Sequence, residues 1–267
     1  MYNAIIIGAG QKGCLSDDPG DTKYTSYAHA IEDNPDIQII DIIDTDSDQI
    51  IKAKAKWTII DDQKQCDIVI ITTPDILHHI SLYQALLYKP QLVICEKPIC
   101  GEPHYYGVEE LYSNAKIPIL MDYTRRFIPQ WQSISTLIAA GEYGSFAGGH
   151  LYFNGGREHT ASHFVDLCRF FGLTNTEITK KIDFVEVNVN YKWVWDWALI
   201  YELGAVNEVN YGINQNYMRT YDLHLQYVIQ HAIDYLDKKI DRLICTGRDG
   251  FEALELLKQC EIRSMTL

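Results

Sequence analysis

The strongest constraint on the fold is a series of five short segments in the first half of the chain, each with an apolar run at its centre. They occupy residues 4–10, 37–44, 66–75, 91–98 and 117–123, and segments with helix-like spacing separate them. A continuous apolar run is typical of a strand that is buried on both faces, and helices between such strands produce a parallel sheet covered on both sides. The sequence therefore predicts an α/β domain with a parallel sheet.

The pattern changes after about residue 123. The segments 146–153, 182–193, 197–204 and 205–213 predict longer strands with partial alternation, close together in the sequence. Such strands form an antiparallel sheet with one covered face. Helices are predicted at 129–140, 159–171, 221–238 and 248–261. We therefore expect two domains: an α/β Rossmann-type domain over 1–122, then an α+β domain over 123–267 with an open, mostly antiparallel sheet.

A glycine-rich turn follows the first strand. Gly8, Gly10 and Gly13 form G-x-G-x-x-G in "GAGQKG". In a dinucleotide-binding domain the first glycine permits the tight turn, the second lets the backbone approach a pyrophosphate, and the third lets helix and strand pack closely. Asp44 ends the second strand, where a carboxylate accepts hydrogen bonds from the adenosine ribose. The sequence therefore predicts that residues 1–122 bind a nicotinamide dinucleotide.

Two further features of this segment bear on the cofactor. Asp46 and Asp48 follow Asp44 without a nearby Arg or Lys, so a 2′-phosphate would meet repulsion and NAD is favoured over NADP. Residues 16–25 lengthen the usual spacing between the turn and the acid, and Pro19 and Gly20 prevent a long helix there. This insertion is either a surface excursion or a flap over the substrate.

Composition restricts the class of protein. The net charge of −13 and the pI near 5.0 argue against nucleic-acid binding, which needs clustered Lys and Arg. The seven cysteines include no C-x-x-C pair, which fits reduced thiols in the cytoplasm better than a disulfide framework. The N-terminal apolar run is too short for a signal peptide, and no run is long enough to span a membrane. We therefore expect a cytoplasmic protein without membrane or nucleic-acid partners.

Several motifs occur in a family-specific order. After the glycine turn and Asp44 come "TTPD" followed by His78, then "CEKP", "DYTRRFIP", "HFVD" and "TGRDGFEAL". This ordered set resembles the glucose–fructose oxidoreductase/inositol dehydrogenase (Gfo/Idh/MocA) family over nearly the whole chain. The resemblance implies a cofactor-binding domain, then an open sheet that often mediates oligomerisation, and an oxidoreductase acting on a sugar or a sugar-like compound, including nucleotide-linked sugars.

The resemblance also implies roles for individual residues. Lys97, at the tip of the fourth strand, would reach the substrate hydroxyl or carbonyl, where an ammonium polarises a carbonyl or moves a proton. His163 would be the general base or acid, and Asp166, one turn later, would orient it or touch the substrate. The residues implied to hold the cofactor, besides the glycines and Asp44, are Thr73, Pro74, Glu96 and Lys97.

The chain departs from the family pattern beside the catalytic histidine. Family members commonly carry Asp four residues before it and Gly two before it, whereas this chain has His159 and Ala161. An imidazole cannot replace a carboxylate that raises the basicity of Lys or His. Three alternatives follow: a dehydrogenase or reductase with His159 in its catalytic site, an NAD(H)-binding sensor or structural partner with little turnover, and a metal-dependent lyase or hydrolase.

The third alternative depends on the spacing of His159 and His163, because H-x-x-x-H on a helix can chelate zinc, with Asp166 as a third ligand. Two histidines lining a sugar-sized cleft explain the spacing better, so no metal is expected. Tyr123 and Arg126, at the predicted domain junction, are candidates for substrate binding. For Arg126 an interdomain salt bridge is the competing interpretation.

The second domain also suggests how the protein assembles. In "KWVWDW", Trp193, Trp195 and Trp197 alternate and would share one strand face. A contact between sheets of two subunits explains these residues better than sugar stacking. We therefore expect a homodimer or homotetramer that forms through the C-terminal sheet.

Overall fold

The fold is described here from a computed structural model. It describes residues 1–60, 65–101, 104–114, 116–153, 157–186, 190–195, 199–203, 208–211, 218–219 and 223–264. The chain divides into two compact units, the first formed by residues 1–124 and 222–250 and the second by 125–221 and 251–267. The sequence predicts a single boundary after residue 122, whereas in the structure residues 222–250 belong to the first unit.

The first unit contains a five-stranded parallel sheet in the order β2-β1-β3-β4-β5. This confirms the predicted parallel sheet. Its strands are β1 (Tyr2–Ile7), β2 (Ile37–Ile43), β3 (Ile68–Ile71), β4 (Leu92–Glu96) and β5 (Ile119–Asp122). Its helices are α1 (Tyr27–Glu32), α2 (Ser47–Lys56), α3 (His78–Leu87), α4 (Tyr105–Asn114) and α8 (His224–Leu236).

The core of this sheet is apolar on both faces. All four residues of β3 are buried, as are the first four of β4. Helices cover such strands because the backbone pairs within the sheet while the side chains need apolar neighbours above and below. The strand order reverses at β1, since β2 lies on one side of it and β3 on the other. In open α/β sheets this reversal point is where ligands bind, beyond the carboxyl ends of the strands.

The inserted segment after the glycine turn has an ordered base. A single π-type turn (Gln11–Leu15) follows the glycines, as the proline and glycine in the insertion require. Asp17 connects the start of this segment to its end. Its carboxylate accepts hydrogen bonds from the backbone N–H of Thr25 (2.7 Å) and of Ser26 (3.0 Å), and it lies 3.0 Å from His29 Nδ1. Burial works to raise the pKa of Asp17, but these hydrogen bonds and that of the Ser26 hydroxyl hold it below its ordinary value.

The second unit contains a seven-stranded sheet in the order β11-β10-β9-β8-β6-β7-β12. β6 (Phe146–Phe153) and β7 (Ile182–Glu186) are parallel because two helices connect them, α6 (Ser162–Phe170) and α7 (Asn175–Lys181). The strands from β8 to β11 pair antiparallel, so the sheet is mostly antiparallel as predicted. They are β8 (Asn190–Trp195), β9 (Leu199–Leu203), β10 (Glu208–Tyr211) and β11 (Met218–Arg219).

Three further elements complete the chain: α5 (Pro129–Ala139), α9 (Gly247–Gln259) and β12 (Ile262–Ser264), which pairs parallel with β7. Trp193 and Trp195 lie in β8, whereas Trp197 falls outside the described residues. The oligomer contact therefore stays a prediction. Among the described helices, none combines the length and the apolar character that a membrane crossing requires.

Candidate functional site

A cavity of about 690 Å³ opens at the reversal point of the parallel sheet. This volume falls within the range of small-molecule and cofactor sites. Its walls come from the glycine turn, the ends of β2 and β3, and the first half of α3. The residues lining it are Ile7, Gly8, Gly10, Gln11, Ile43, Asp44, Thr45, Asp46, Gln49, Thr72, Thr73, Pro74, Leu77, Ile80, Ser81 and Gln84. Residues 16–25 are not among them.

The glycines of the turn meet their surroundings differently. Gly8 has φ +109°, and a Cβ there would lie 2.7 Å from the Thr72 carbonyl carbon. A Cβ on Gly13 would lie 1.9 Å from the Gly8 carbonyl oxygen, so that position admits no side chain. At Gly10 an added Cβ would meet Gln49 Oε1 at 3.5 Å, an ordinary van der Waals contact, so packing does not require glycine there. Packing thus requires glycine at Gly8 and Gly13, while Gly10 keeps the approach clear.

Thr72 is a further residue of the site that the sequence motifs do not single out. Its hydroxyl donates a 2.7 Å hydrogen bond to the Gly8 carbonyl oxygen, which fixes the turn from the end of β3. The signal was present in "TTPD", where two hydroxyl residues follow a buried strand. Thr73, the second of them, contacts the Ser81 hydroxyl at 2.9 Å, and Pro74 follows it in the cavity wall. Their role in binding the cofactor stays a prediction.

Asp44 connects the end of β2 to the glycine turn. Its Oδ2 accepts a hydrogen bond from the Ala9 backbone N–H (2.7 Å), and its Oδ1 accepts one from the Asp46 backbone N–H (2.9 Å). Asp46 in turn caps α2 by accepting from the backbone N–H groups of Asp48 and Gln49. The carboxylates of Asp44 and Asp46 therefore both border the cavity in fixed positions, which concentrates negative charge at this wall.

His78 joins the loops after β3 and β4. It is 1% exposed, with Nδ1 2.6 Å from the Pro98 carbonyl oxygen and Nε2 2.8 Å from the Thr73 carbonyl oxygen. Burial lowers the pKa of this imidazole, and a neutral ring has one N–H, so one carbonyl at a time receives a hydrogen bond. The sequence predicts no role for His78 beyond its place in the order of motifs. In the structure its ring connects Thr73, in the cavity wall, to Pro98, in the turn that contains Lys97.

Glu96 and Lys97 lie at the carboxyl end of β4. In the register of the sheet Glu96 is opposite Asp122, the last residue of β5. Lys12, from the glycine turn, places its Nζ 3.3 Å from Glu96 Oε1 and 3.9 Å from Asp122 Oδ2. The family resemblance implies that Glu96 helps to hold the cofactor, and this role stays a prediction. The structure shows its carboxylate in an ion pair with Lys12.

Lys97 is half-buried in the turn that Pro98 begins. Burial lowers the pKa of its ammonium, and the positive charge of Lys12 acts in the same direction, while Glu96 and Asp122 oppose it. A lysine whose pKa is lowered in this way exchanges protons more readily near neutral pH. The environment therefore suits the proton-transfer role implied by the family resemblance, and that role stays a prediction.

Arg126 and Asp166 form a two-point ion pair within the second unit. The Arg126 Nε and Nη2 atoms donate to the two carboxylate oxygens of Asp166 at 2.9 and 2.7 Å, and the two residues are 6% and 1% exposed. Both had been predicted to bind substrate, and Asp166 also to orient His163. The structure shows each bound to the other. A buried pair of this kind is strongly disrupted when one partner is removed, so it also holds α6 in place.

The two histidines of the second unit differ in exposure. His163 lies half-buried in α6, whereas His159 is exposed in a π-type turn (Arg157–Ala161) that precedes this helix. The sequence predicted one helix from 159 to 171. Tyr123, in the first unit, is 1% exposed and follows β5 directly. The catalytic and substrate-binding roles of these three residues stay predictions.

The structure also bears on the possibility of a metal site. In the described part of the chain, no group of three or more His, Cys, Asp or Glu residues is arranged to hold a metal ion. We expect protein purified without chelators to contain no stoichiometric zinc and EDTA to leave its thermal stability unchanged, because a bound structural metal would stabilise the fold. Elemental analysis and thermal unfolding check this. Near-stoichiometric zinc that disappears in His159→Ala would contradict it.

Comparison with known proteins identifies the fold. No protein-family model matches the sequence, and no curated protein matches it either. Solved structures do match. A protein of Sinorhizobium meliloti proposed to be a myo-inositol dehydrogenase has a TM-score of 0.68 at 17% identity, with 97% of this chain and 96% of that chain covered.

Two further matches were solved with ligands. KijD10, a 3-ketoreductase from Actinomadura kijaniata in complex with NADP and TDP-benzene, has a TM-score of 0.69 at 11% identity and covers 100% and 99% of the two chains. An oxidoreductase from Agrobacterium radiobacter in complex with NAD⁺, L-tartaric acid and magnesium has a TM-score of 0.71 at 16% identity and covers 97% and 95%. This chain thus has the two-domain fold of the Gfo/Idh-type oxidoreductases, which confirms the resemblance at the level of the fold.

Proposed function

We propose that the chain is an oxidoreductase that binds a nicotinamide dinucleotide and interconverts a secondary alcohol and a ketone on a sugar or sugar-like compound, including nucleotide-linked sugars. The observation that carries the proposal is the cavity at the reversal point of the sheet, with a glycine turn on one side and the Lys97 turn on the adjacent strand. β3, whose end lines the cavity, is hydrogen-bonded to β4, which ends in Glu96 and Lys97.

The residues of this chain fit such a cofactor. Gly10 lines the cavity without a side chain, so a pyrophosphate could approach its backbone, and the Asp44 carboxylate can accept hydrogen bonds from ribose hydroxyls. Thr73, Pro74, Leu77 and Ile80 supply the partly apolar wall that a flat ring needs. When bound, the cofactor would supply or accept a hydride. The work of the protein is then to hold the substrate oxygen and to move its proton.

Lys97 is the proposed proton carrier on the first unit. As an ammonium it would donate to a carbonyl oxygen during ketone reduction, and as an amine it would take the proton of the hydroxyl during alcohol oxidation. His163 is the proposed second acid or base, because an imidazole titrates near neutral pH. Support for His163 comes from the family resemblance and from its half-buried position in α6.

We expect NAD(H) to bind at least about tenfold more tightly than NADP(H), because a 2′-phosphate would approach the carboxylates of Asp44 and Asp46. Asp44→Ala should weaken NAD(H) binding and so reduce the difference between the affinities for NAD(H) and NADP(H). Fluorescence titration with NADH and NADPH measures both affinities directly. Equal affinities in the wild-type protein would overturn this assignment.

The alternative from a different class is a protein that binds NAD(H) with little or no turnover and acts as a sensor or structural partner. The observation in its favour is His159, which stands where the family commonly carries Asp. Turnover distinguishes the two proposals. Both require NADH binding, but only the oxidoreductase requires turnover with some member of a panel of sugar alcohols and ketoses.

We further propose that the protein works in the cytoplasm as a homodimer or homotetramer formed through the second sheet. Support comes from the seven cysteines, all of which are buried and none of which is joined in a disulfide. The tryptophans in β8 support the contact through the sheet. Light scattering on the purified protein would give the oligomeric state.

A further inference from the structure

The carboxyl ends of β4 and β5 bring two acids together. Glu96 and Asp122 are register partners on neighbouring parallel strands, so their side chains project from the same side of the sheet. Asp122 is fully buried, and the Glu96 side chain is 12% exposed. Two carboxylates in this position cannot both be ionised without nearby cations, so the pair titrates as a unit.

The donors around the two acids are distributed unevenly. Asp122 accepts hydrogen bonds from the Tyr27 hydroxyl (2.8 Å) and the Thr124 hydroxyl (3.2 Å). Glu96 instead has the Lys12 ammonium, which also lies near Asp122. Hydrogen bonds to a carboxylate stabilise its charged form, so Asp122 is the partner that keeps the charge and Glu96 the one that takes a proton.

Lys12 is held in the cluster from a third side. Its Nζ lies 3.1 Å from His224 Nε2, at the start of α8. Because an ammonium only donates, Nε2 must accept and the His224 proton must be on Nδ1. The Lys12 charge is thereby directed to Glu96 and Asp122, and these carboxylates raise the pKa of Lys12 against the effect of its desolvation.

The charges agree with this geometry. Burial is the largest cause that raises the pKa of Glu96 to about 7, with Asp122 adding to it and Lys12 opposing it. The pKa of Asp122 is lowered despite its burial, first by the charge of Lys12 and also by the hydrogen bond of the Tyr27 hydroxyl. The titratable or charged groups of the cluster are Lys12, Tyr27, Cys95, Glu96, Lys97, Asp122 and His224, with Asp17 and Asp75 acting from farther out.

We propose that Lys12, which contacts Glu96, and Asp122, its register partner on β5, determine whether Glu96 carries a charge, and that this charge acts on the ammonium of Lys97, the next residue along the chain. An ionised Glu96 holds the neighbouring Lys97 as an ammonium, and a protonated Glu96 releases that hold. The charge state of Glu96 follows from the cluster alone, whereas its consequence for catalysis rests on the proposed function.

The test follows the titration of Glu96 without turnover. Infrared spectra between about pH 5 and pH 9 should contain a protonated-carboxyl band that disappears near pH 7 and is absent from Glu96→Gln. The midpoint should rise by about one pH unit or more in Lys12→Met, which removes the cation, and fall by a similar amount in Asp122→Asn, which removes the competing anion. Lys12→Arg keeps the charge and should restore the wild-type midpoint to within a few tenths of a unit.

A second readout reports on Lys97 directly. Trace acylation followed by mass spectrometry measures the reactivity of each lysine, and the amine form is the one that reacts. Glu96→Gln removes a charge that raises the pKa of Lys97, so Lys97 should be acylated several-fold faster at pH 8 than in the wild-type protein. The reactivity of Lys54, which lies in α2 and pairs with Asp41 of β2, should not change.

Lys54→Met is the matched control for Lys12→Met and should leave the infrared midpoint unchanged. The proposal is overturned if Glu96→Gln retains the titrating band, if Lys12→Met and Asp122→Asn do not shift it in opposite directions, or if Lys97 reactivity is the same with Glu96 and Gln. Because none of these measurements needs a cofactor or a substrate, a failure of the proposed oxidoreductase activity would leave them intact. The two outcomes are therefore distinguishable.

Discussion

Lys97→Met should remove turnover while NADH affinity and the fold are retained. If Lys97 moves the proton of the substrate oxygen, we expect kcat/KM to fall by at least about 10²-fold, because positioned acid–base groups contribute roughly that much or more. Methionine matches the apolar stem of lysine and lacks the charge and the proton, so packing is largely preserved. Steady-state rates on a panel of sugar alcohols and ketoses, with NADH titration in parallel, measure both quantities.

The control for this variant is Lys239→Met, because Lys239 is an exposed lysine of the same unit that pairs with Asp234 and Asp237. Surface substitutions of this kind change stability by less than about 0.5 kcal/mol. Both variants should therefore unfold at similar temperatures. Wild-type turnover in Lys97→Met would show that Lys97 has a structural role and does not transfer a proton in the reaction.

Gly13→Ala should remove cofactor binding. The added Cβ would lie 1.9 Å from the Gly8 carbonyl oxygen, and this oxygen is fixed because it accepts the hydrogen bond of the Thr72 hydroxyl. The turn must therefore move away from β1, and a movement of this kind displaces Gly8 and Gly10 from the cavity wall. We expect NADH affinity to fall by at least about 100-fold, or roughly 2.7 kcal/mol.

The matched control is Gly107→Ala. Gly107 lies in α4, and an added Cβ there has no atom within 4 Å. Alanine in a helix is more favourable than glycine by about 0.5–1 kcal/mol, so this variant should be as stable as the wild-type protein or more stable. If Gly13→Ala fails to fold, Thr72→Val provides a milder test, because it removes only the hydroxyl. Wild-type NADH affinity in both Gly13→Ala and Thr72→Val would refute the assigned role of the turn.

The sequence predicted the elements that depend on local pattern. The five strands of the parallel sheet were recognisable because each is rich in apolar residues, and the glycine turn because its spacing is constrained by close packing. The segments predicted as α5 and β6 also agree with the structure, since proline at the first helical turn and alternation along a strand are local signals.

What the sequence could not supply were the contacts between distant segments. Lys12, Glu96, Asp122 and His224 come from four separate parts of the chain, and their meeting depends on the register of β4 with β5 and on the return of α8. One clue was available: two apolar strands each end in an acid, and the ends of parallel strands meet at one edge. The pairing of Arg126 with Asp166 had no such clue, because charged residues 40 positions apart give no periodic signal.

The return of residues 222–250 to the first unit has a consequence for the order of events during synthesis. The parallel sheet is complete in sequence by residue 122, yet α8, which packs against α1 and β4, is made only after the whole stretch 125–221. At about 5–20 residues per second, the ribosome would leave the apolar surface under α8 uncovered for on the order of ten seconds. The nascent first unit is therefore a candidate for chaperone binding, and its release should coincide with the emergence of α8 from the exit tunnel.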